Sequence, residues 1–246
     1  MIANLMMYQR PELTEAHNRY WALIRKNLTD AGIDSPETLS QDADMFTVWN
    51  DPELVMSQTC GMPYRTLLHE NVKLIGTPDF GVIDSPAGYY RSALVVRADD
   101  PRTDIAAFKN AVFAYNQTHS QSGYAAPYSH VKPLGFWFEN QLETGQHLKS
   151  AQAVALGTAD IASLDAVTWR LLETYEAFAA DLRVLEWTQP TPGLPLITAM
   201  GNDADAIFNA VKGAIETLSP EDKALLGLKG IVKIAKEDYM KVPNPE

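Results

Sequence analysis

Short apolar runs alternate with longer segments of helical periodicity along nearly all of this 246-residue chain, and that alternation restricts the fold more than any other feature. Residues 2–7 read as a strand, after which Leu13, Tyr20, Leu23, Ile24 and Leu28 recur at helical spacing until Ala31-Gly32 ends the pattern. Further strands are predicted at 54–57, 72–75, 92–96, 111–115, 161–164, 182–185 and 194–198, each bounded by Gly, Pro, Asn or Asp. Helices are predicted near 146–156, 166–179, 204–217 and 220–226. The last opens with Ser219-Pro220-Glu221-Asp222, which supplies a capping hydroxyl, a proline at the first helical position and acids facing the helix dipole. Strands separated by helices imply an α/β fold with mainly parallel sheets, whose ligands lie beyond the carboxyl ends of the strands.

The length suits two lobes better than one core. Two turn-rich segments that follow strands, 97–101 and 187–193, read as crossings between lobes. They divide the chain into a discontinuous first lobe, 1–98 and 189–246, and a second lobe, 99–188. A formal charge of −11, uninterrupted by a basic cluster, argues against nucleic acid as a partner. It does not argue against a small anion, because a few N–H groups at a helix start outweigh a distant, salt-screened charge. With Cys60 the only cysteine, there is no intramolecular disulfide, Cys-rich zinc site or CxxC pair. No apolar run approaches the roughly 18–20 residues that cross a bilayer, so a membrane role is expected to go through a partner. The start MIANLMMYQRPEL lacks the features of a signal peptide, and the expectation for an exported protein is that its leader has been removed.

Four strand-to-helix junctions can carry chemistry. In the stretch from Asn116 to Tyr124, Ser120, Ser122 and Gly123 stand where free N–H groups gather, which makes an anion cradle; a plain helix cap uses the same residues. A second junction, residues 54–65, contains Gln58 and Thr59 and can face a ligand from the first lobe. Its Cys60 reads either as an activated thiol at a helix start or as an inert buried group. His147 and Ser150, one helical turn apart, can both donate to an oxyanion, whereas no second histidine stands at metal-ligand spacing. Asp165 ends a strand and opens a helix, where it can hold an amine of the ligand or simply cap. Tyr8, Trp49, Tyr89, Tyr90 and Trp169 are candidate walls of the site.

Taken in order, Trp49-Asn50-Asp51-Pro52, SQTCGMPYR (57–65), GYYRSALVVR (88–97), SQSGY (120–124), GQHLKSAQAVALGTADIASLDAVTW (145–169) and TPGLP (191–195) resemble the phosphate/phosphonate-binding family of ABC importer proteins. The resemblance implies a two-lobed type II periplasmic-binding fold with two hinge crossings, closing on a ligand between the lobes. It further implies a periplasmic monomer without cofactor, whose partners are a small oxyanion and the membrane permease. The family's oxyanion site matches Ser120, Ser122, Gly123, His147 and Ser150, and its amine-facing acid matches Asp165. Gln146 departs from the family's Gly-Ser-His-x-x-Ser pattern. Two other functions fit the same fold: an enzyme with Cys60 as nucleophile and His147 or Asp165 as its base, or a sensor domain.

Overall fold

A computed structural model describes the whole chain, Met1–Glu246. The strands are β1 (Ile2–Asn4), β2 (Leu54–Gln58), β3 (Val72–Asp79), β4 (Tyr89–Tyr90), β5 (Ser92–Arg97), β6 (Val112–Tyr115), β7 (Asn140–Glu143), β8 (Ile161–Asp165), β9 (Leu182–Trp187), β10 (Thr191–Pro192), β11 (Leu196–Ala199) and β12 (Gly230–Val232). The helices are α1 (Thr14–Asp30), α2 (Met45–Trp49), α3 (Gly61–Pro63), α4 (Ala126–Val131), α5 (His147–Ala155), α6 (Ala166–Tyr175), α7 (Ala204–Thr217), α8 (Pro220–Leu226) and α9 (Lys236–Met240). The chain forms two compact units. One comprises Met1–Ile83, Ala87–Tyr89 and Pro192–Met240; the other comprises Asp84–Pro86, Tyr90–Thr191 and Lys241–Glu246.

The first unit is built on a five-stranded sheet of order β1-β2-β11-β3-β12. β1 and β2 are parallel, while β11 runs antiparallel to both β2 and β3, and β12 antiparallel to β3. Trp49, Tyr64, Leu68, Ile197 and Tyr239 pack together in its core, and α1 lies against α7. Tyr239 Oη donates to the Gly193 carbonyl at 3.0 Å and hydrogen-bonds Thr77 Oγ1 at 2.6 Å, which ties the last helix to the segment after β10. Gly193 in turn donates to the Gly88 carbonyl, an approach so close that a Cβ on Gly193 would lie 2.6 Å from that oxygen.

The second unit has the order β7-β6-β8-β5-β9. β6 is parallel to β7 and β8, and β5 is antiparallel to β8 and β9, so β5 alone runs against the other four. Both sheets are therefore mixed rather than uniformly parallel. In each, the reversed inner strand, β5 or β11, is the one with which the chain enters the unit after a crossing. Both faces of the second sheet are covered: Ala93 and Val95 of β5 join Ala151, Val154, Trp169 and Leu172 on one side, and Leu94 and Val96 join Phe108, Phe113, Val131 and Phe138 on the other. Burial on two sides is why β5 reads as an unbroken apolar run.

Five expected boundaries move. The first crossing was expected at 97–101, but the units change over between Tyr89 and Tyr90, because β5 belongs to the second sheet and Arg97, Asp99, Asp100 and Arg102 fold onto it. The second change falls at Thr191–Pro192, inside the expected segment but three residues beyond position 188. Residues 241–246, expected with the first lobe, group with the second unit, where Glu246 lies 3.8 Å from Lys132. The strand expected over 2–7 stops at Asn4 and gives way to a 3-10 turn, Met6–Tyr8, and the helix expected to 179 ends at Tyr175.

Candidate functional site

In the second unit, β6 and β7 end side by side with Tyr115 paired to Glu143, and the two turns beyond them are pinned together. Thr144 N–H donates to the Tyr115 carbonyl at 2.9 Å and Gly145 N–H to the Asn116 carbonyl at 2.8 Å. After the first turn comes Ser120 in extended conformation, then a π-helical turn, Gln121–Ala125, that leads into α4. Ser120 Oγ accepts from Gly123 N–H at 3.0 Å, which makes it the cap; its hydroxyl hydrogen remains available to a ligand. After the second turn α5 begins at His147, and Gln146, its extended N-cap, makes no side-chain capping bond. Helix starts of this kind present N–H groups that have no carbonyl one turn back.

The two starts meet at Ser122 and His147, whose Oγ and Nε2 are 3.0 Å apart. Ser163 on β8 donates through Oγ to the Ser122 carbonyl at 2.6 Å and holds the turn from below. Burial pushes the His147 imidazole down to about 4, only partly opposed by the Ser163 main chain, so the ring is neutral near neutral pH. Asn116 stands over Gly123, with its buried Oδ1 where a Cβ would have to go. Hydroxyls, main-chain N–H groups and a neutral histidine thus converge from four segments of one unit, a donor-rich set suited to an oxyanion.

A family model for the periplasmic substrate-binding protein of ABC phosphonate transporters matches residues 56–239. The chain belongs to that family. No curated protein sequence matches it. Among solved structures, this phosphonate-family protein is similar to a Xanthomonas citri protein bound to ATP, at 16% identity and TM-score 0.70, over 98% of this chain and 94% of that one. The binding-protein component of an ABC phosphonate transporter from Pseudomonas aeruginosa is similar at 17% identity and TM-score 0.67, over 97% and 82%. PhnD1 of Prochlorococcus marinus in complex with methylphosphonate is similar at 15% and 0.69, over 97% and 94%. These likenesses show the two-lobed periplasmic-binding fold. No helix of this family member is long and apolar enough to cross a membrane.

The family member's remaining expected site residues fall in different places. Ser150 is wholly buried, its hydroxyl 2.7 Å from Thr144 Oγ1 and 3.3 Å from the Gln146 carbonyl, so it braces the turn before α5. Asp165 caps α6, accepting from Val167 N–H at 2.7 Å and Thr168 N–H at 3.1 Å. In the first unit, Gln58 Nε2 donates to the Leu194 carbonyl, Thr59 reaches only the Cys60 carbonyl at 3.5 Å, and Tyr8 sets its ring edge against Phe80. Cys60 is buried as well, at the residue before α3. Tyr90, a buried residue, belongs to the second unit. Asn116, Thr144 and Ser163 were not singled out from the sequence. Only Asn116 carried a signal, as a polar residue directly after an apolar strand.

Proposed function

We propose that this periplasmic binding protein captures a small tetrahedral oxyanion of the phosphonate or phosphate class on the cradle of Ser120, Ser122, Gly123 and His147. The ligand passes unchanged to the membrane permease of an ABC importer. The observation that carries this reading is the convergence of Ser122 and His147 at two helix starts, one of which has no side-chain cap. Methylphosphonate bound to the Prochlorococcus marinus relative agrees in ligand class. Against the net charge of −11, the local N–H groups prevail because they touch the ligand while most carboxylates are distant and screened.

The Ser122–His147 pair has the separation of a nucleophile and its base, yet a ring held near 4 is a weak base at neutral pH and no carboxylate shifts it. That favours binding over catalysis. Calorimetry with methylphosphonate and with phosphate tests the reading. Ser122→Ala should lose one charge-assisted hydrogen bond, about 1.5–3 kcal/mol, for both ligands alike. Unchanged affinity in that variant would place the ligand elsewhere.

A further inference from the structure

We infer that Tyr239 is a positioning residue for ligand capture: its buried hydroxyl fixes, on the first unit, the roots of the three main crossings between the units. This role lies outside the oxyanion cradle and rests on the reading of the chain as a capturing protein. Apart from a brief excursion at Asp84–Pro86, the chain changes unit between Tyr89 and Tyr90, between Thr191 and Pro192, and between Met240 and Lys241. Gly88, Gly193 and Tyr239 each stand one residue away from one of these changes, on the first-unit side. They are bonded to one another. Gly193 N–H donates to the Gly88 carbonyl at 2.8 Å, and the Gly193 carbonyl accepts from Tyr239 Oη at 3.0 Å.

Counting hydrogens shows how this joint is held. A phenol has one hydrogen and a carbonyl only accepts, so in the 2.6 Å contact between Thr77 Oγ1 and Tyr239 Oη the threonine donates. Thr77 belongs to β3, and the sheet thereby steadies the tyrosine hydroxyl that holds Gly193. Tyr239 is 1% exposed and packs its ring edge against Tyr64, with centroids 5.2 Å apart, so water has no access to replace the bond. The two carbonyls after Gly193 are also taken from within the first unit, Leu194 by Gln58 Nε2 at 3.3 Å and Pro195 by Thr59 N–H at 3.0 Å.

The second unit has a matching staple. Thr188 N–H donates to the Ser92 carbonyl at 3.0 Å, Ser92 N–H donates to Thr188 Oγ1 at 2.9 Å, and Arg91 Nε donates to the Thr188 carbonyl at 3.0 Å. Between the fixed roots, only Tyr89–Tyr90 and residues 189–192 are left to bend. Short crossings with fixed roots confine the units to few arrangements. Loss of the Tyr239 hydroxyl frees Gly193, and with it the hold on Gly88. More arrangements then compete with the one that captures ligand, and every ligand loses affinity in proportion to that dilution.

Calorimetry and solution scattering on the full chain, with methylphosphonate and phosphate as probes, test the inference. Tyr239→Phe keeps the ring on Tyr64 and removes only the hydroxyl. It should weaken both ligands by the same factor, about tenfold, because the cradle is intact and only the capturing population has changed. Its ligand-free radius of gyration should exceed the parent's, and the two radii should coincide at ligand saturation. Thr77→Val removes the donor to Tyr239 but leaves the bond to Gly193, and should bind within about twofold of the parent. Parent-like affinity in Tyr239→Phe, an unchanged ligand-free radius, or losses in the two variants that simply follow their melting temperatures would overturn the inference and leave oxyanion capture standing. If the parent binds neither probe, the oxyanion reading fails by itself, and the ligand-free radii decide the role of Tyr239: a larger radius in Tyr239→Phe upholds it and an unchanged one overturns it.

Discussion

At Gly123 the constraint is space rather than backbone conformation. A Cβ there would sit 1.9 Å from Asn116 Oδ1 and 3.3 Å from His147 Cε1. The amide is the movable partner, so Gly123→Ala should displace Asn116 while the turn, still capped by Ser120, stays folded. The expected result is a loss of roughly tenfold or more in methylphosphonate affinity with a melting temperature within a few degrees of the parent. A large fall in melting temperature would instead make Gly123 a packing residue. Asp165 poses the reverse case, since its cap on α6 is already visible. Asn caps about as well as Asp, so Asp165→Asn should leave stability within about 0.5 kcal/mol, whereas Asp165→Ala should cost about 1 kcal/mol. If Asp165 also meets an amine, Asp165→Asn should weaken aminophosphonates and spare methylphosphonate, which calorimetry on the pair of ligands resolves.

At the level of elements, the segment after β5 is held by charge. Arg102 reaches Asp100 through Nη2 at 2.6 Å and Asp160 at 3.1 Å, its guanidinium lies over Phe108, and Asp160 accepts from Val112 N–H at 2.8 Å. The hydrogen bond from Arg102 holds the Asp100 carboxyl down at about 2. A carboxyl with a lowered folded-state pKa contributes stability that is fully present above its unfolded value of 3.8 and is lost as pH falls through about 2. The contribution is on the order of 1–2 kcal/mol, discounted because Arg102 is partly exposed. Asp100→Asn should therefore flatten the decline of the urea midpoint below about pH 4, and an unchanged decline would assign it to other carboxylates. This network also explains why 97–101 reads as a hinge: turn-forming residues look the same in sequence whether they swing freely or are clamped by an arginine 58 residues from one of its partners. The buried strands were legible because apolar runs need no context. β7, Asn140–Glu143, escaped because it is a polar edge strand, and β12 because it has only three residues. Ser120, Ser122, Gly123 and His147 were readable as helix-start chemistry, but that Ser150 braces Thr144 depends on a fold in which those hydroxyls meet.

On the scale of the whole molecule, two units with separate cores give a ligand two ways to register in stability. Binding to the native second unit alone should raise only the transition in which that unit unfolds. At about 100 times its dissociation constant, methylphosphonate should add roughly 2.7 kcal/mol, or about 5–10 °C for a chain of this size. The sequence also offers Tyr8, Gln58 and Thr59 of the first unit as candidates to face the ligand, and of these Thr59 has the least committed side chain. Gln58 spends its amide on Leu194, whereas the Thr59 hydroxyl has only a long contact of 3.5 Å to the Cys60 carbonyl. Thr59→Val keeps the shape of a fully buried residue and removes that hydroxyl. If the first unit contributes to capture, methylphosphonate should raise every transition in a calorimetric scan of the parent chain, and Thr59→Val should reduce the rise by about 1 kcal/mol equivalent without moving the ligand-free transitions. A rise confined to one transition and untouched by Thr59→Val would show that the second unit's cradle accounts for the affinity by itself.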